Sequence, residues 1–235
     1  MSNLNKKTFE NKIEKKWLEL LWPFLSSDEM SKNFKAIKGQ KSFQIVYPSF
    51  DDCFKAFKLT PFDDVKVVII GQDPYYDGSA DGLAFSSSHS VRCPKALATI
   101  LFEVEYDCYN GLNIDRLSNY DLSGWAKQGV LLLNTAFTVQ KKKPDSHKQY
   151  WESFTKEVFR ILRENHTGLV YLLWGNHAKN YKKYISEKTN HILEADHPAN
   201  GNIVTSPFQG CKHFSKTNEI LEGINGPEVS INWGI

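Results

Sequence analysis

A carboxylate that directly follows a hydrophobic segment is the first side chain in this sequence that could do chemistry. Residues 65–70 (VKVVII) are mostly β-branched and apolar, which is typical of a strand buried on both faces of a sheet. The segment GQDP at 71–74 follows at once, and its glycine and proline must turn the chain. In open α/β sheets ligands bind outside the carboxyl ends of the strands, which makes Asp73 a candidate catalytic residue. An Asp before a proline is also a common turn former, and that alternative stays open at this point.

Polar side chains follow three other hydrophobic segments as well. They are Asn134 after 129–133, Asn176 after 168–174 and His197 after 191–195. Taken alone, Asn134 is typical of a cap or turn residue and His197 of a loop residue. Because the carboxyl ends of parallel strands meet at one edge of a sheet, we expect the four side chains to converge. Such convergence indicates a functional site.

These groups favour catalysis on a water molecule over covalent catalysis. The sequence has no nucleophile elbow, and the turn at 71–74 has neither a GxGxxG pattern nor a Walker lysine. A carboxylate and an imidazole suit general-base or electrostatic work on water. An amide such as Asn134 can offer a donor and an acceptor to a planar heterocycle, and aromatic side chains can stack on it. The set describes a pocket that holds a nucleobase while water attacks its sugar, with no metal and no cofactor expected.

The elements that must position these groups form an alternating series. Four strands separated by helices predict an α/β fold, a three-layer α/β/α arrangement around a central four-stranded, mainly parallel sheet. Apolar residues at helical spacing in 8–25 predict an amphipathic helix, whereas the polar stretch 26–48 is expected to be loop-rich. Further helices are predicted at 50–57, 95–109, 146–165, 177–187 and 213–223.

The composition favours one domain inside a cell. A length of 235 residues with 41% hydrophobic content suits a single domain over 1–235, of which 1–45 forms an N-terminal helix and loop. The net charge of +2 is far from histone-like, although a local basic face is enough to bind nucleic acid. Four cysteines without a CxxC pair indicate free thiols. No leader or membrane span is recognisable, so we expect an intracellular protein, in the cytoplasm if bacterial, and in the host cell or nucleus if viral or eukaryotic.

A collinear series of motifs covers roughly residues 45–235. They are GQDPYY (71–76), GLAFS (82–86), LSGWAKQGVLLLN (122–134), SH (146–147), LLWG (172–175), and HP (197–198) with GCKHFSKTN (210–218). This series resembles the family 1 uracil-DNA glycosylases. Several motifs in one order are far more specific than any one of them. The resemblance implies an enzyme that flips uracil out of DNA, hydrolyses the N-glycosidic bond of deoxyuridine, and leaves an abasic site that starts base excision repair.

The resemblance also implies roles for individual residues. Asp73 matches the residue that orients the water and offsets the sugar cation, and His197 matches a neutral imidazole that stabilises the departing uracil at O2. Asn134 matches the amide that reads the O4 and N3–H edge of uracil. The other pocket residues implied are Phe85 stacking on the base, Tyr75 excluding the methyl group of thymine, and Gln72 near O2.

The expected DNA contacts are less regular. They are Pro74, Arg92, Lys95, Ile203, His213, Ser215 and Lys216. The family usually has His at Tyr76, a proline-rich loop after Phe85 and a serine at Ala96. A leucine wedge of the family falls near Gly201, so Ile203 is expected to replace it and single-stranded substrate to be preferred.

The expected partner is uracil-containing DNA, single- or double-stranded, with a proteinaceous inhibitor of such glycosylases as a possible second partner and a monomer as the expected state. Two other functions stay open from the sequence. One is a glycosylase-like DNA clamp without activity, which the joint presence of Asp73, Asn134 and His197 disfavours. The other is a glycosylase of shifted specificity, suggested by Tyr76.

Overall fold

The computed structural model describes residues 5–39, 45–111 and 119–234. Its strands in chain order are β1 (Val46–Tyr47), β2 (Val67–Gly71), β3 (Val130–Asn134), β4 (Val139–Gln140), β5 (Val170–Trp174) and β6 (His191–Ala195). Its α-helices are α1 (Lys15–Leu25), α2 (Asp28–Lys38), α3 (Lys55–Leu59), α4 (Lys95–Cys108), α5 (Ser123–Ala126), α6 (Lys148–Asn165), α7 (Gly175–Lys179) and α8 (His213–Asn225).

A four-stranded sheet of order β3-β2-β5-β6 forms the centre of the fold, and all three strand pairs are parallel. Every residue of β2, β3 and β5 is buried, because helices cover both faces of these apolar strands. β6 is an edge strand with partly exposed residues. The α/β fold with a central parallel sheet is confirmed.

The register of the sheet places two of the candidate residues side by side. Gly71, the last residue of β2, is paired with Asn134, the last residue of β3. Asp73 lies two residues beyond this pair. The ends of two neighbouring strands therefore place a carboxylate and an amide at the same edge of the sheet.

The N-terminal segment differs from the prediction of one helix over 8–25. A short 3₁₀ turn at Lys6–Thr8 precedes a non-helical stretch, and α1 begins only at Lys15. The Glu14 side chain caps α1 by accepting hydrogen bonds from the Lys16 and Trp17 N–H groups. Phe9 is nevertheless fully buried, so a turn buries the apolar residue that we assigned to a helix face.

The prediction of a loop-rich segment over 26–48 is wrong for α2. Ser27 caps this helix, and Met30, Phe34 and Ile37 bury one face at helical spacing. Three apolar residues in a mostly polar segment did not give a recognisable helical periodicity. Residues 40–44 of that segment lie outside the described part of the chain.

The boundaries of the remaining helices agree in part. The helices predicted at 95–109, 146–165 and 213–223 are confirmed as α4, α6 and α8. The helix predicted at 50–57 begins at Lys55, after a turn, and the one predicted at 177–187 is α7 followed by a 3₁₀ turn at Lys182–Tyr184. No helix in the described ranges is long and apolar enough to span a membrane.

A two-stranded antiparallel pair was not predicted. β1 pairs with β4, with Val46 opposite Gln140. Strands of two residues leave no periodicity in a sequence, and their pairing is non-local. This pair fixes the start of the turn over residues 140–147, which lies beside the Asp73 loop and is called the clasp turn below.

Candidate active site

A cavity of about 370 Å³ lies at the carboxyl ends of strands β2, β3 and β6. The loop after β2, the end of β3, the start of α4 and the loop after β6 form its walls. The residues that line it are Gly71, Gln72, Asp73, Pro74, Tyr75, Tyr76, Asp77, Leu83, Phe85, Lys95, Ala96, Asn134, His197 and Ala199. Three of the four polar residues expected to converge, Asp73, Asn134 and His197, therefore share one cavity. Asn176 is exposed at the start of α7 and is not part of the lining.

Asp73 is held by the clasp turn. Its Oδ2 accepts a hydrogen bond of 2.8 Å from the Asp145 N–H. Burial raises the pKa of the Asp73 carboxyl, the Asp145 N–H opposes that rise, and the negative charge of Asp145 adds to it. The carboxylate is thus partly removed from water yet keeps a donor that favours its ionised form.

The side-chain amide of Asn134, at the end of β3, packs closely against Gly71 at the end of β2. The Asn134 side chain is 6% exposed. A Cβ on Gly71 would overlap the Asn134 amide oxygen and lie 2.9 Å from the Ala84 Cβ. The Ala84 N–H donates to the Leu132 carbonyl oxygen at 3.1 Å, which anchors the 82–86 segment on β3. Glycine at 71 is therefore what leaves room for the amide at the floor of the cavity.

Phe85 has a backbone conformation that few non-glycine residues adopt, with φ of +64°. Its ring centroid lies 5.4 Å from that of Trp174 and 6.1 Å from that of His197. The Tyr75 hydroxyl is 3.4 Å from the Phe85 carbonyl oxygen, to which it donates. An aromatic residue with a strained backbone beside a cavity is typical of a functional site.

The protonation of His197 follows from its contacts. Its Nδ1 accepts a hydrogen bond of 3.0 Å from the Ala199 N–H, so the neutral ring carries its proton on Nε2. Burial lowers the pKa of His197, which favours that neutral form. The site therefore contains a neutral imidazole that can donate one hydrogen bond.

Gly175 is a site residue that the sequence did not single out. It follows β5 with φ of +80°, and a Cβ on it would lie 2.7 Å from the His197 Cβ. Glycine here lets the loop after β6 approach β5 closely. The sequence feature that could have identified Gly175 is its place directly after a strand, in the motif LLWG.

Two further groups lie behind the cavity. Thr135 donates to the Gln72 carbonyl oxygen at 2.8 Å, and its hydroxyl is 2.8 Å from the His177 Nε2. Since the hydroxyl proton is committed to Gln72, the His177 Nε2 is the donor of that second bond. Within the described ranges, no group of three or more His, Cys, Asp or Glu side chains is placed to hold a metal ion.

The model of the uracil DNA glycosylase superfamily matches residues 57–222, which include every lining residue of the cavity. The chain belongs to this superfamily. The uracil-DNA glycosylase of Campylobacter lari is 42% identical over 231 residues, covering 95% of this chain and 96% of that protein. The uracil-DNA glycosylase of Fusobacterium nucleatum is 38% identical over 227 residues, covering 96% of this chain and 97% of that protein.

A solved structure shares the fold of this glycosylase superfamily member. The crystal structure of mimivirus uracil-DNA glycosylase superposes with a TM-score of 0.84, covering 99% of this chain and 90% of that chain at 24% identity. A mimivirus variant solved in complex with UGI superposes with a TM-score of 0.73 at 25% identity, covering 100% of this chain and 96% of that chain.

Of the residues expected to contact DNA, some are exposed in this superfamily member and others are buried. Pro74 and Lys95 line the cavity, and the side chains of Arg92, Lys95 and Lys216 are exposed. His213 is 3% exposed, its Nδ1 accepts from the Trp174 Nε1 at 3.0 Å, and burial lowers its pKa to about 4. That placement argues against a phosphate contact through the His213 ring.

Ser215 lies in the first turn of α8, where the Asp107 carboxylate accepts hydrogen bonds from it. Its hydroxyl donates to the Asp107 Oδ1 at 2.6 Å, and its N–H donates to the Asp107 Oδ2 at 2.9 Å. Ile203 is half-buried, whereas its neighbour Val204 is 63% exposed. Of these two neighbours in the loop after β6, Val204 is therefore the one whose side chain protrudes.

Proposed function

We propose that the cavity at the ends of β2, β3 and β6 is where this superfamily member hydrolyses the N-glycosidic bond of deoxyuridine in DNA. The reaction removes uracil from DNA as free base and leaves an abasic site, which opens base excision repair. The observation that carries the proposal is that Asp73, Asn134 and His197, supplied by three different strand ends, line one cavity together with Phe85.

Asp73 is the proposed catalytic residue on the sugar side. Its ionised carboxylate orients a water molecule toward the anomeric carbon and offsets the positive charge that develops on the sugar as the bond breaks. The hydrogen bond from the Asp145 N–H keeps the carboxylate fixed while leaving its second oxygen available.

His197 is the proposed catalytic residue on the base side. Negative charge develops on uracil O2 as the base leaves, and the Nε2–H of a neutral imidazole can donate to it. The Ala199 N–H fixes this tautomer by occupying Nδ1. No proton needs to be transferred for this stabilisation, so the ring acts as a preorganised donor.

Asn134, Phe85 and Tyr75 recognise the base in this proposal, with Gln72 beside them. The buried Asn134 amide accepts from N3–H and donates to O4, and Phe85 stacks on the ring. Cytosine would present an amine where Asn134 offers a donor, and the unpaired buried groups would cost about 1–3 kcal/mol each. Tyr75 closes the space at C5 and thereby excludes the methyl group of thymine.

One assay tests the reaction directly. A labelled single-stranded oligonucleotide with one uracil is incubated with the protein and then heated in alkali, which breaks the strand at abasic sites. We expect strand scission at the uracil, none with thymine or cytosine in its place, and none without the heating. Scission before heating or an intact uracil strand would contradict a hydrolytic uracil-DNA glycosylase.

The proposed DNA contacts use the exposed residues. Arg92, Lys95 and Lys216 would meet phosphate groups, and Pro74 would pack against the strand at the rim of the cavity. Val204 replaces Ile203 as the proposed apolar wedge because it is the side chain that protrudes. His213 and Ser215 are structural in this proposal, since Trp174 and Asp107 hold their side chains.

The proposal extends to partners and organisation. Both single- and double-stranded DNA containing uracil are proposed substrates, and a protein that inhibits such glycosylases is a proposed partner, as a mimivirus variant was solved in complex with UGI. We infer one domain, because α1 and α2 pack against α6 instead of standing apart. We also propose a monomer, because residues of a single chain line the cavity. A reaction on genomic DNA also requires an intracellular location.

A further inference from the structure

Three hydrogen bonds join the clasp turn to the Asp73 loop. The Lys142 N–H donates to the Tyr76 carbonyl oxygen at 3.0 Å, and the Asp145 N–H donates to the Asp73 Oδ2 at 2.8 Å. The Gln72 Nε2 donates to the Asp145 Oδ1 at 2.7 Å. One residue of the turn, Asp145, thus holds both the proposed catalytic carboxylate and a neighbouring pocket side chain.

The backbone of Asp145 aims its N–H at Asp73. Its φ is +60°, a left-handed conformation that Asp, Asn and Gly tolerate best. The turn is closed on both sides, since the Gln140 N–H donates to the Ser146 Oγ at 2.8 Å and the Lys148 N–H donates to the Asp145 carbonyl oxygen at 3.2 Å. The position of the donor is therefore fixed by the fold.

Asp145 is exposed, and three exposed lysines, Lys141, Lys142 and Lys143, lie in the same turn. Across the described ranges, no lysine, arginine or histidine forms an ion pair with it. The other titratable side chains that face Asp73 across the cavity are Tyr75, Tyr76, Asp77, Lys95 and His197, and His177 lies behind them. A second carboxylate beside Asp73 strengthens the negative field at the point where the sugar cation forms.

We propose that Asp145 is a positioning residue for uracil hydrolysis, which holds Asp73 and Gln72 in one arrangement and adds its own charge to the field on the sugar. This inference rests on the proposed function. The carboxylate works at a cost, because it repels the phosphate groups of the substrate. It should therefore favour turnover and oppose binding.

Two variants separate the charge of Asp145 from its side chain. Asp145→Asn removes the charge but keeps the left-handed conformation and an oxygen that can accept from Gln72. Asp145→Gly keeps the backbone donor and removes the side chain altogether. Glu228→Gln is the matched control, since it removes an exposed carboxylate outside the cavity.

The measurement is the pH profile of kcat and of KM on the single-stranded uracil oligonucleotide. For Asp145→Asn we expect kcat at pH 7.5 to fall about 3- to 10-fold, since the field on the sugar weakens. We expect KM to stay equal or fall, and the acid limb of kcat to move to lower pH, because a like charge beside Asp73 is gone. For Asp145→Gly we expect KM to rise as well, because Gln72 loses its anchor. The control should match the wild type.

The outcomes separate the two proposals. If Asp145→Asn leaves kcat and its acid limb unchanged in an active protein, Asp145 is not a positioning residue, although uracil hydrolysis stands. If kcat falls while the acid limb stays and KM rises, the effect is structural and the inference is also wrong. If the wild type releases no uracil, the proposed function itself fails.

Discussion

The backbone of Gly71 lies directly against the side-chain amide of Asn134, so that a Cβ on Gly71 would overlap the Asn134 Oδ1. The two residues are partners in the parallel register of β2 and β3. A sheet contact thus sets where the proposed base-reading amide sits. The smallest possible enlargement of residue 71 should displace it.

Gly71→Ala should damage uracil recognition more than folding. We expect kcat/KM to fall about 100-fold, because a displacement near 1 Å in a positioning group has effects of this order. Overpacking should also cost about 1–3 kcal/mol in the free energy of unfolding. Gly124→Ala is the control, since a Cβ there meets nothing within 4 Å. Equal kcat/KM for the two variants would show that Asn134 is not held by this contact.

Asp73→Asn should separate catalysis from stability. We expect kcat to fall about 10²- to 10⁴-fold, the range typical of losing one general base, with little change in binding of uracil DNA. An amide oxygen at this position can still accept from the Asp145 N–H. Single-turnover kinetics and fluorescence anisotropy measure the two effects. Normal cleavage by this variant would assign the water to another residue.

The same variant makes a prediction about stability. Burial raises the pKa of Asp73 in the folded protein, so the ionised carboxyl destabilises the fold above that pKa, and the cost disappears as the pH falls through it. Asp73→Asn cannot ionise and should therefore have an equal or higher Tm than the wild type at pH 7.5. The difference should shrink toward pH 4. A lower Tm at neutral pH would mean that the native carboxylate is net stabilising.

The sequence predicts those parts of the site in which a polar residue follows an apolar strand. Asp73, Asn134 and His197 follow apolar strands, and parallel topology brings the ends of those strands to one edge of the sheet. The same rule placed Asn176 there too, yet it is exposed at the start of α7 and lies outside the cavity lining. Asp145 was missed because its role depends on the pairing of β1 with β4, a contact between strands of two residues far apart in sequence. His213 was assigned to DNA from its motif, yet burial against Trp174 is set by tertiary packing that one sequence does not show.

Gly175→Ala should uncouple His197 from the cavity. The substitution adds a Cβ 2.7 Å from the His197 Cβ and strains a residue with φ of +80°. We expect kcat to fall about 10- to 100-fold, as oriented donors lose most of their effect when displaced. Gly168→Ala is a matched control, because φ there is +76° but the added Cβ makes only an ordinary contact of 3.6 Å with Ile224.

Both glycine variants carry a similar backbone strain of about 1 kcal/mol, and the close contact with His197 adds a steric cost in Gly175→Ala, so the Tm of that variant should fall at least as far as that of Gly168→Ala. Only the variant next to His197 should lose kcat. A parallel loss of activity in Gly168→Ala would point to general destabilisation in place of a misplaced imidazole.

Val204→Ala should distinguish duplex from single-stranded substrate. Val204 is 63% exposed on the loop after β6, whereas Ile203 is half-buried and its carbonyl oxygen accepts from the Gln209 Nε2 at 3.0 Å. An apolar side chain that enters the base stack helps only where a stack must be opened, which costs a few kcal/mol per step. We expect the variant to lose about 10-fold in kcat/KM on a U:A duplex and less than 2-fold on a single strand. The wild type, whose wedge is smaller than a leucine, should itself prefer the single strand.

Ile203→Ala should instead lower Tm and affect both substrates alike. If Ile203→Ala were the duplex-selective variant, the wedge would be Ile203 after all.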